Sequence, residues 1–596
     1  MLALTQCLLD PAGTGPAGTG GGGVGGEDAP SCVPACMAMP ECMTSTCVDG
    51  TCEEKPANPG TVCGDDDDKF CDGDGACKLP RGAACLAGDE CLSDHCVDGF
   101  CCADACEGTC DHCNAAGLEG ECVPRAPGDL DPDTCDMNVA CDGIGSCAPG
   151  EASWAWSTGD DSSDDAVTAV AAAPDGSSWA ALQFDGTVMV GSNTFTSMGD
   201  DVLLVKLSNT GTALQTIQLG GIGTELVTKL AVDINGNVYA AGYFDLELDL
   251  DLVGPGDTLS AVLDDGFVVS LDSQGTHRWT RHFSGTGDER VYDLITLAGG
   301  GVAAGGEFTS ELTIGGMTDT NASPAVSDAF VVTFDATGTL GVRKILASVD
   351  GQAVTGLCQA PTGELFAAGT FFGAFTLDVM RTSVESSFDI FVAQLDLSSN
   401  GDVLSAFQLG NGAAQESRRI GCLPNGNLVL TGHFRDDGDP DDPDDLGIGA
   451  PVDNEGGDDV FAGIFQPDGT LVQRLFADGS NGNDRLQGLA VDTAGNVTFA
   501  GFVEGPVTVG TTAIPVTGSG AVVAAKYTED GQSLWVRGYD APGVDGADAV
   551  ATNDQGLVWI GGFFEDALTF TPGTNVTPPT ATSKGSQDGF VVRLSP

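Results

Sequence analysis

The chain has 596 residues, and its 87 acidic side chains outnumber 22 basic ones to leave a formal net charge of −65. A polyanion repels nucleic-acid phosphates and anionic headgroups, and no basic stretch offsets it, so nucleic acid and a charged membrane surface are excluded as partners. Apolar residues make up 41%, too many for a disordered chain and enough to bury sizeable cores, and the length allows two or three domains. With 87 glycines and few Lys or Glu, the composition favours short strands and tight turns. The acid is largely Asp placed in turns and reads as a solvated surface.

Residues 1–30 come first in chain order. MLALTQ at 1–6 lacks a basic n-region and is shorter than the apolar core of a signal peptide. From residue 11 to 26 the chain is rich in Gly, Thr, Pro and Ala, a flexible linker. Leu4-Thr5-Gln6-Cys7 resembles a bacterial lipobox, although Gln6 stands where Gly, Ala or Ser is usual. That resemblance implies lipidation at Cys7 and a signal peptide reaching upstream of this start; the other reading is a chance cysteine near a misplaced start. No run of about 20 apolar residues is present to span a bilayer, so membrane contact is expected only through a lipid anchor.

Residues 31–150 hold Cys32, Cys36, Cys42, Cys47, Cys52, Cys63, Cys71, Cys77, Cys85, Cys91, Cys96, Cys101, Cys102, Cys106, Cys110, Cys113, Cys122, Cys135, Cys141 and Cys147. An even set this dense predicts a disulfide-stapled module in an oxidising compartment. Zinc would call for more paired knuckles than Cys110 and Cys113 supply. Cys47-Val-Asp-Gly-Thr-Cys52 recurs in related form at Cys71–Cys77, Cys96–Cys101 and Cys141–Cys147; Asp-Gly between cysteines predicts tight hairpins held by their own bridges, with the pairing left open. The segment resembles the cysteine-rich repeats that precede propellers in surface proteins of myxobacteria, a likeness that implies no chemistry. DDDDK at 65–69 matches a protease signal by coincidence in so acidic a chain, and no stretch fits an EF-hand loop.

From residue 151 to 596 a period of about 60–70 residues appears. One marker is Gly-x-Phe, at Phe244, Phe308, Phe371, Phe434 and Phe564, with Phe184 and Gly501 as degenerate copies. The other is Asp before an apolar run, at Asp201, Asp265, Asp328, Asp389, Asp459 and Asp588, with Ala521 as the exception. Within one unit, LAVD at 230–233, NVYAAG at 237–242, DGFVVSL at 265–271 and HRWTRHF at 277–283 predict a four-stranded antiparallel sheet. Seven such sheets predict an all-β, seven-bladed propeller; a solenoid is the runner-up and would need shorter repeats and capping units. The region opens on a fourth strand, SWAWSTG at 153–159, and ends on a third, so the N-terminal strand is expected to complete the last blade. These runs resemble the bacterial seven-bladed propeller repeats of the SBBP type, which implies a surface location and no shared reaction.

Candidate chemistry is sparse. There is no nucleophile elbow, P-loop or HExxH. The histidines, His95, His112, His277, His282 and His433, are expected to be structural, and the repeated Asp to cap turns through backbone amides. The loop at 436–445 is densest in acid, and Asp436, Asp437, Asp439, Asp441 and Asp442 are calcium candidates or a merely solvated loop. Cys358 and Cys422 lie on the first strands of consecutive blades and form either a disulfide or two buried thiols. No cofactor is required, with calcium the one candidate. The expected function is a non-enzymatic surface or secreted scaffold, a monomer presenting propeller loops to a protein or glycan. One alternative is a hydrolase or lyase at the channel mouth, against which stands the lack of any unrepeated cluster of His, Arg and Glu. Another is a calcium-stabilised envelope or matrix protein.

Overall fold

The structure, a computed structural model, describes residues 41–48, 51–64, 68–106, 110–115, 117–125, 141, 147–160, 163–250, 258–384, 387–410, 414–435, 457–478, 482–570 and 579–596. Among them a 3₁₀ turn spans Gly88–Glu90, and no helix is long and apolar enough to cross a membrane. The chain divides into two compact units, residues 1–107 with 111–123 and residues 108–110 with 124–596.

The first unit is built from one hairpin of six-residue strands, Met43–Val48 with Thr51–Pro56, which is almost wholly exposed, and from hairpins whose strands are two or three residues long. Asp98 and Gly99, between the strands Cys96–Val97 and Phe100–Cys101, both take left-handed backbone (φ 51° and 79°), which suits an Asp-Gly hairpin turn. Disulfides join Cys42 to Cys71, Cys63 to Cys77, Cys85 to Cys96, Cys91 to Cys101, Cys102 to Cys113 and Cys106 to Cys122. Cys47 and Cys52 are also disulfide-bonded. The hairpins at Cys71–Cys77 and Cys96–Cys101 are not closed by their own cysteines, as the turn pattern suggested. Opposed residues on antiparallel strands leave the same face, so both thiols of a hairpin point together at the preceding segment, which supplies the partners. The buried centre is cysteine itself: Cys42, Cys63 and Cys71 with Ala57, and Cys85, Cys91 and Cys101.

In the second unit, Cys110 bonds Cys141, and Cys147 is disulfide-bonded. Four-stranded antiparallel sheets then follow in chain order. The first takes Ala166–Ala172, Ser178–Phe184, Asp201–Leu207 and Ala213–Leu219; the second Glu225–Val232, Val238–Asp249, Thr258–Leu271 and His277–Phe283. The third takes Glu289–Thr296, Val302–Phe308, Asp328–Phe334 and Leu340–Leu346; the fourth Gln352–Gln359, Leu365–Phe372, Phe388–Asp396 and Asp402–Leu409. The fifth takes Gln415–Cys422, Leu428–Arg435, Asp458–Phe465 and Leu471–Asp478; the sixth Arg485–Val491, Val497–Val503, Ala521–Tyr527 and Ser533–Tyr539. A closing sheet combines Gly546–Thr552, Val558–Phe564 and Asp588–Leu594 with Ala152–Thr158, which pairs antiparallel with the last strand. The first strand of each sheet lines an axial channel, the arrangement of a β-propeller.

The local reasons are legible. Third strands such as DAFVVTF are buried throughout because both faces are covered by neighbouring sheets, so apolar residues need not alternate. Each fully buried Phe, such as Phe244, Phe308 or Phe371, is worth about 1.5–3 kcal/mol by removal from water. At the strand turns an Asp collects backbone amides: Asp233 Oδ1 accepts Asn235 N and Asn237 N at 2.9 Å, beside Gly236 at φ 79°. The stretch between second and third strands, which the sequence presents as a variable loop, carries an extra hairpin in several sheets, for example Glu311–Ile314 with Met317–Thr320. Cys358 and Cys422 are joined in a disulfide with Cα atoms 5.5 Å apart, stapling the first strands of the fourth and fifth sheets.

Candidate functional site

The first strands are longer than the sequence runs indicated; LAVD is only the second half of Glu225–Val232. In every sheet the first half contains a β-bulge, where one strand gains a residue over its partner and re-aims a side chain. The register breaks fall between Val167 and Ala169, Val227 and Lys229, Val291 and Asp293, Val354 and Gly356, Ser417 and Arg419, Arg485 and Gly488, and Ala547 and Ala549. The side chains set free there are Thr168, Thr228, Tyr292, Thr355, Arg418, Gln487 and Asp548. All of them line one cavity of about 740 Å³ at the channel mouth. The column is thus three threonines interrupted by a tyrosine, an arginine, a glutamine and an aspartate.

Two of the threonines serve the scaffold. Thr168 Oγ1 donates to Val227 O at 2.7 Å, and Thr228 Oγ1 donates to Val291 O at 2.8 Å, each reaching the next sheet. The interruptions serve the cavity. Tyr292 donates its hydroxyl hydrogen to Glu307 Oε1 at 2.6 Å, and the Arg290 guanidinium lies 3.7 Å from the same oxygen. Arg290 also holds Asp264, 2.7 Å from Nε, and sits over the Tyr243 ring with Cζ 5.4 Å from the centroid. Across the cavity, Glu416 lies 3.7 Å from Arg418 and 3.5 Å from His433 Nε2. Arg419 donates to Thr355 O at 3.2 Å. The cavity also presents Phe388, a large apolar side chain that is 43% exposed. At the residue after the bulge, deeper in the channel, Lys229 faces Asp293 at 3.7 Å, and the same strands open at their far end on a second cavity of about 880 Å³.

Burial sets the charge states. It pushes the Tyr292 hydroxyl well above its ordinary range, with Glu307 beside it adding to the rise, and raises Tyr243 too, so both are neutral hydrogen-bonding rings. Burial and then the Arg418 charge hold His433 below its usual value, so it is uncharged at pH 7. Asp548 is pushed up to about 6 by desolvation, which the positive charges of Arg485 and Arg419 oppose.

This is an unrepeated cluster of His, Arg and Glu, and it corrects the expectation that none exists. Glu416, Arg418 and His433 all belong to the fifth sheet, where Glu416 and His433 stand opposite each other on neighbouring strands, so the cluster was hidden by their separation along the chain. Of the residues singled out in the sequence, His433 joins this cluster. His282 lies elsewhere, its Nε2 2.6 Å from Asp265 Oδ2, and His277 Nε2 is 2.8 Å from Thr280 Oγ1. The repeated Asp residues accept backbone amides, for example Asp328 from Ser348 N at 3.1 Å and Asp389 from Val384 N at 3.1 Å. Cys7, Cys32, Cys36, Cys135, Asp436, Asp437, Asp439, Asp441 and Asp442 lie outside the described residues.

No protein-family model matches the chain. No curated protein matches it. Among solved structures it is similar to a polysaccharide lyase, an ulvan lyase, at 9% identity over 71% of this chain and 96% of that one, with a TM-score of 0.37. It is similar to the periplasmic gluconolactonase of Pseudomonas aeruginosa at 11% identity, covering 66% and 95%, with a TM-score of 0.37. The WD40 domain of Neurospora crassa Pan2 is similar at 10% identity, covering 62% and 90%, with a TM-score of 0.32.

Proposed function

We propose that the chain is an exported surface protein whose second unit closes into a seven-bladed ring of the SBBP type and binds an anionic glycan at its channel mouth. Ring closure is supported by one backbone link that recurs between successive sheets. Glu225 N donates to Asp200 O at 2.8 Å, Gln352 N to Ser327 O at 2.9 Å, and Asp484 N to Asp458 O at 2.7 Å. The same link, Asp165 N to Gln587 O at 2.8 Å, joins the first sheet to the closing one. Export is supported by the disulfide-dense first unit, which suits an oxidising compartment. The proposal extends to a lipid anchor at Cys7, a calcium-holding loop at Asp436, Asp437, Asp439, Asp441 and Asp442, and a monomeric state, all three resting on sequence.

The observation that carries the ligand reading is the channel-mouth cluster. In a chain of net charge −65, Arg418 and Arg419 share one cavity with the exposed ring of Phe388 and the neutral rings of Tyr243 and Tyr292. Guanidinium groups take carboxylate or sulfate, and aromatic faces take the C–H faces of sugar rings. Binding is favoured over catalysis because Tyr292 is held protonated against Glu307 and His433 is engaged with Glu416. The test is titration of the full chain with polygalacturonate, its methyl ester serving as the uncharged control. The acid form should bind, more weakly as salt rises, and the ester on the order of tenfold less, the value of one charge-assisted hydrogen bond. Equal binding of both polymers, or of neither, would sink the glycan reading; shortening of the polymer during the titration would turn the site into an enzyme's.

A further inference from the structure

Where each sheet meets the next, two columns of the repeat face one another. One is the Asp that opens the third strand. The other opens the first strand of the following sheet, nineteen residues before the marker Phe, or before Val503 in the sixth sheet: Asp165, Glu225, Glu289, Gln352, Gln415, Asp484 and Asp545. Glu225, Glu289, Gln352 and Gln415 hold the same register, each opposite the Phe of its own sheet. The junctions are therefore acid against acid at Asp201/Glu225 and Asp265/Glu289, and acid against amide at Asp328/Gln352 and Asp389/Gln415.

The two Glu junctions have a deficit of hydrogens. Glu225 and Glu289 are fully buried, at 0% exposure, and neither oxygen of either carboxyl receives a well-aligned hydrogen from the described donors. Asp265 Oδ1 is likewise buried without a donor, and Glu289 is in hydrogen-bonding contact with Asp265. Two acceptor-only groups cannot satisfy each other; one must carry a proton. The other acid already has donors of its own. Asp201 accepts Gln218 Nε2 at 2.5 Å and Met198 N at 3.4 Å, and Asp265 has His282 Nε2 at 2.6 Å. Among the described residues no cation neutralises either Glu. Glu225 faces Asp201, Asp245 and Asp200, and Glu289 faces Asp265 and Asp288. The nearest guanidinium, Arg290, is spent on Asp264 and Glu307, with Asp288 3.8 Å away. The gap leaves little room besides, since a Cβ at Gly220 would strike Asp201 and one at Gly285 would strike Glu289.

We propose that Glu225 and Glu289 are proton latches: each stays a neutral carboxylic acid beside the Asp of the preceding sheet, Glu289 donating its hydrogen to Asp265, and lets the junction loosen when alkali removes that proton. Glutamine, which cannot ionise, stands in the same column at the next two junctions, and at the first of them its amide is spent on Ser348 Oγ and Asp350 O rather than on Asp328. The electrostatics agree. Burial first, and Asp201 second, push Glu225 up to about 8 from an ordinary 4.5. Burial and Asp265 raise Glu289 in the same direction, with the Gly287 amide opposing them only in part. A folded-state value above the unfolded one means the latch contributes fully below about pH 4.5. Its contribution then fades as pH climbs through the folded value, here about 8 for Glu225.

The test is the urea midpoint of the full chain from pH 5 to pH 9, for the natural sequence, for Glu225→Gln with Glu289→Gln, and for Gln352→Glu. For Glu225 the folded-to-unfolded ratio of the natural chain should fall on the order of a hundredfold or more over that range, because a carboxyl at about 8 folded and 4.5 unfolded loses nearly all of its contribution between pH 5 and pH 9. The double Gln variant should flatten the fall and be the more stable protein at pH 9, while Gln352→Glu should steepen it. An unchanged pH slope in the double variant overturns the proposal. So does a rise in the natural chain's midpoint at pH 9 when calcium replaces EDTA, if the double variant loses that rise, because the carboxyls would then be ligands of a metal. A calcium response retained in the double variant belongs to other acids and leaves the latch standing if the slope has flattened.

Discussion

In the first unit the buried clusters are cysteines with one alanine; in the second they are stacks of Val, Leu, Phe, Trp and Ala running between successive sheets, as with Val202 and Leu204 of the first sheet and Phe244 and Phe267 of the second. Both units are made of short strands joined by Gly and Asp turns. They differ in what holds the strands once the turns are made. Strands of two or three residues cannot bury enough apolar area to offset their lost entropy, so bridges constrain the unfolded chain instead. Seven-residue strands covered on both faces can, and there a disulfide is an addition to a core. Short strands and turn residues are thus compatible with either economy, and the length of the apolar run decides which applies.

Reductant should break this comparison apart with the largest effect. Each bridge of the first unit is worth about 2–4 kcal/mol, and the unit has little else. Hydrogen exchange on the full chain in dithiothreitol should show residues 41–123 losing protection while the sheets from 225 to 527 keep theirs. Those sheets should lose only the contribution of Cys358–Cys422, at most about 4 kcal/mol for a loop of that span. Loss of protection in both units together would contradict the division. A smaller effect sharpens the same comparison inside the apolar core. Lys526 and Asp492 are buried 3.2 Å apart, and Lys526 also donates to Gly556 O at 2.8 Å. Lys526→Met strands the buried Asp492 carboxylate and should lower chemical stability by about 3–5 kcal/mol. A Tm within a degree of the natural chain would show the pair to be dispensable.

The fold was legible where the repeat is regular. The marker Phe, the Asp that opens the third strand and the Gly turns each answer to one physical demand, and that demand recurs in sheet after sheet, with Val503 and Ala521 of the sixth as exceptions. What escaped was the half-strand that makes the site. Val227-Thr228-Lys229 breaks the alternation expected of a strand because Thr228 is a bulge residue, so a pattern of period two stops short of it. A signal was present. Thr168, Thr228, Tyr292, Thr355, Arg418 and Asp548 each stand sixteen residues before the marker Phe, and Gln487 the same distance before Val503. Counting back from the marker would have found one column whose chemistry changes from sheet to sheet. The partners of the cysteines carried no such signal, since bridging depends on which faces the hairpins turn toward one another.

That column leads to the central claim: regular positions of the repeat hold the ring, and the irregular ones hold the ligand. The measurement that tests it most directly gives the third and fifth sheets the threonine that the first, second and fourth already carry. The Tyr292→Thr, Arg418→Thr chain should unfold within about 1 kcal/mol of the natural one, as expected of side chains that face a cavity. It should also lose polygalacturonate binding by at least about tenfold, for the guanidinium alone. A chain that is strongly destabilised, or that binds the polymer as before, would contradict the account.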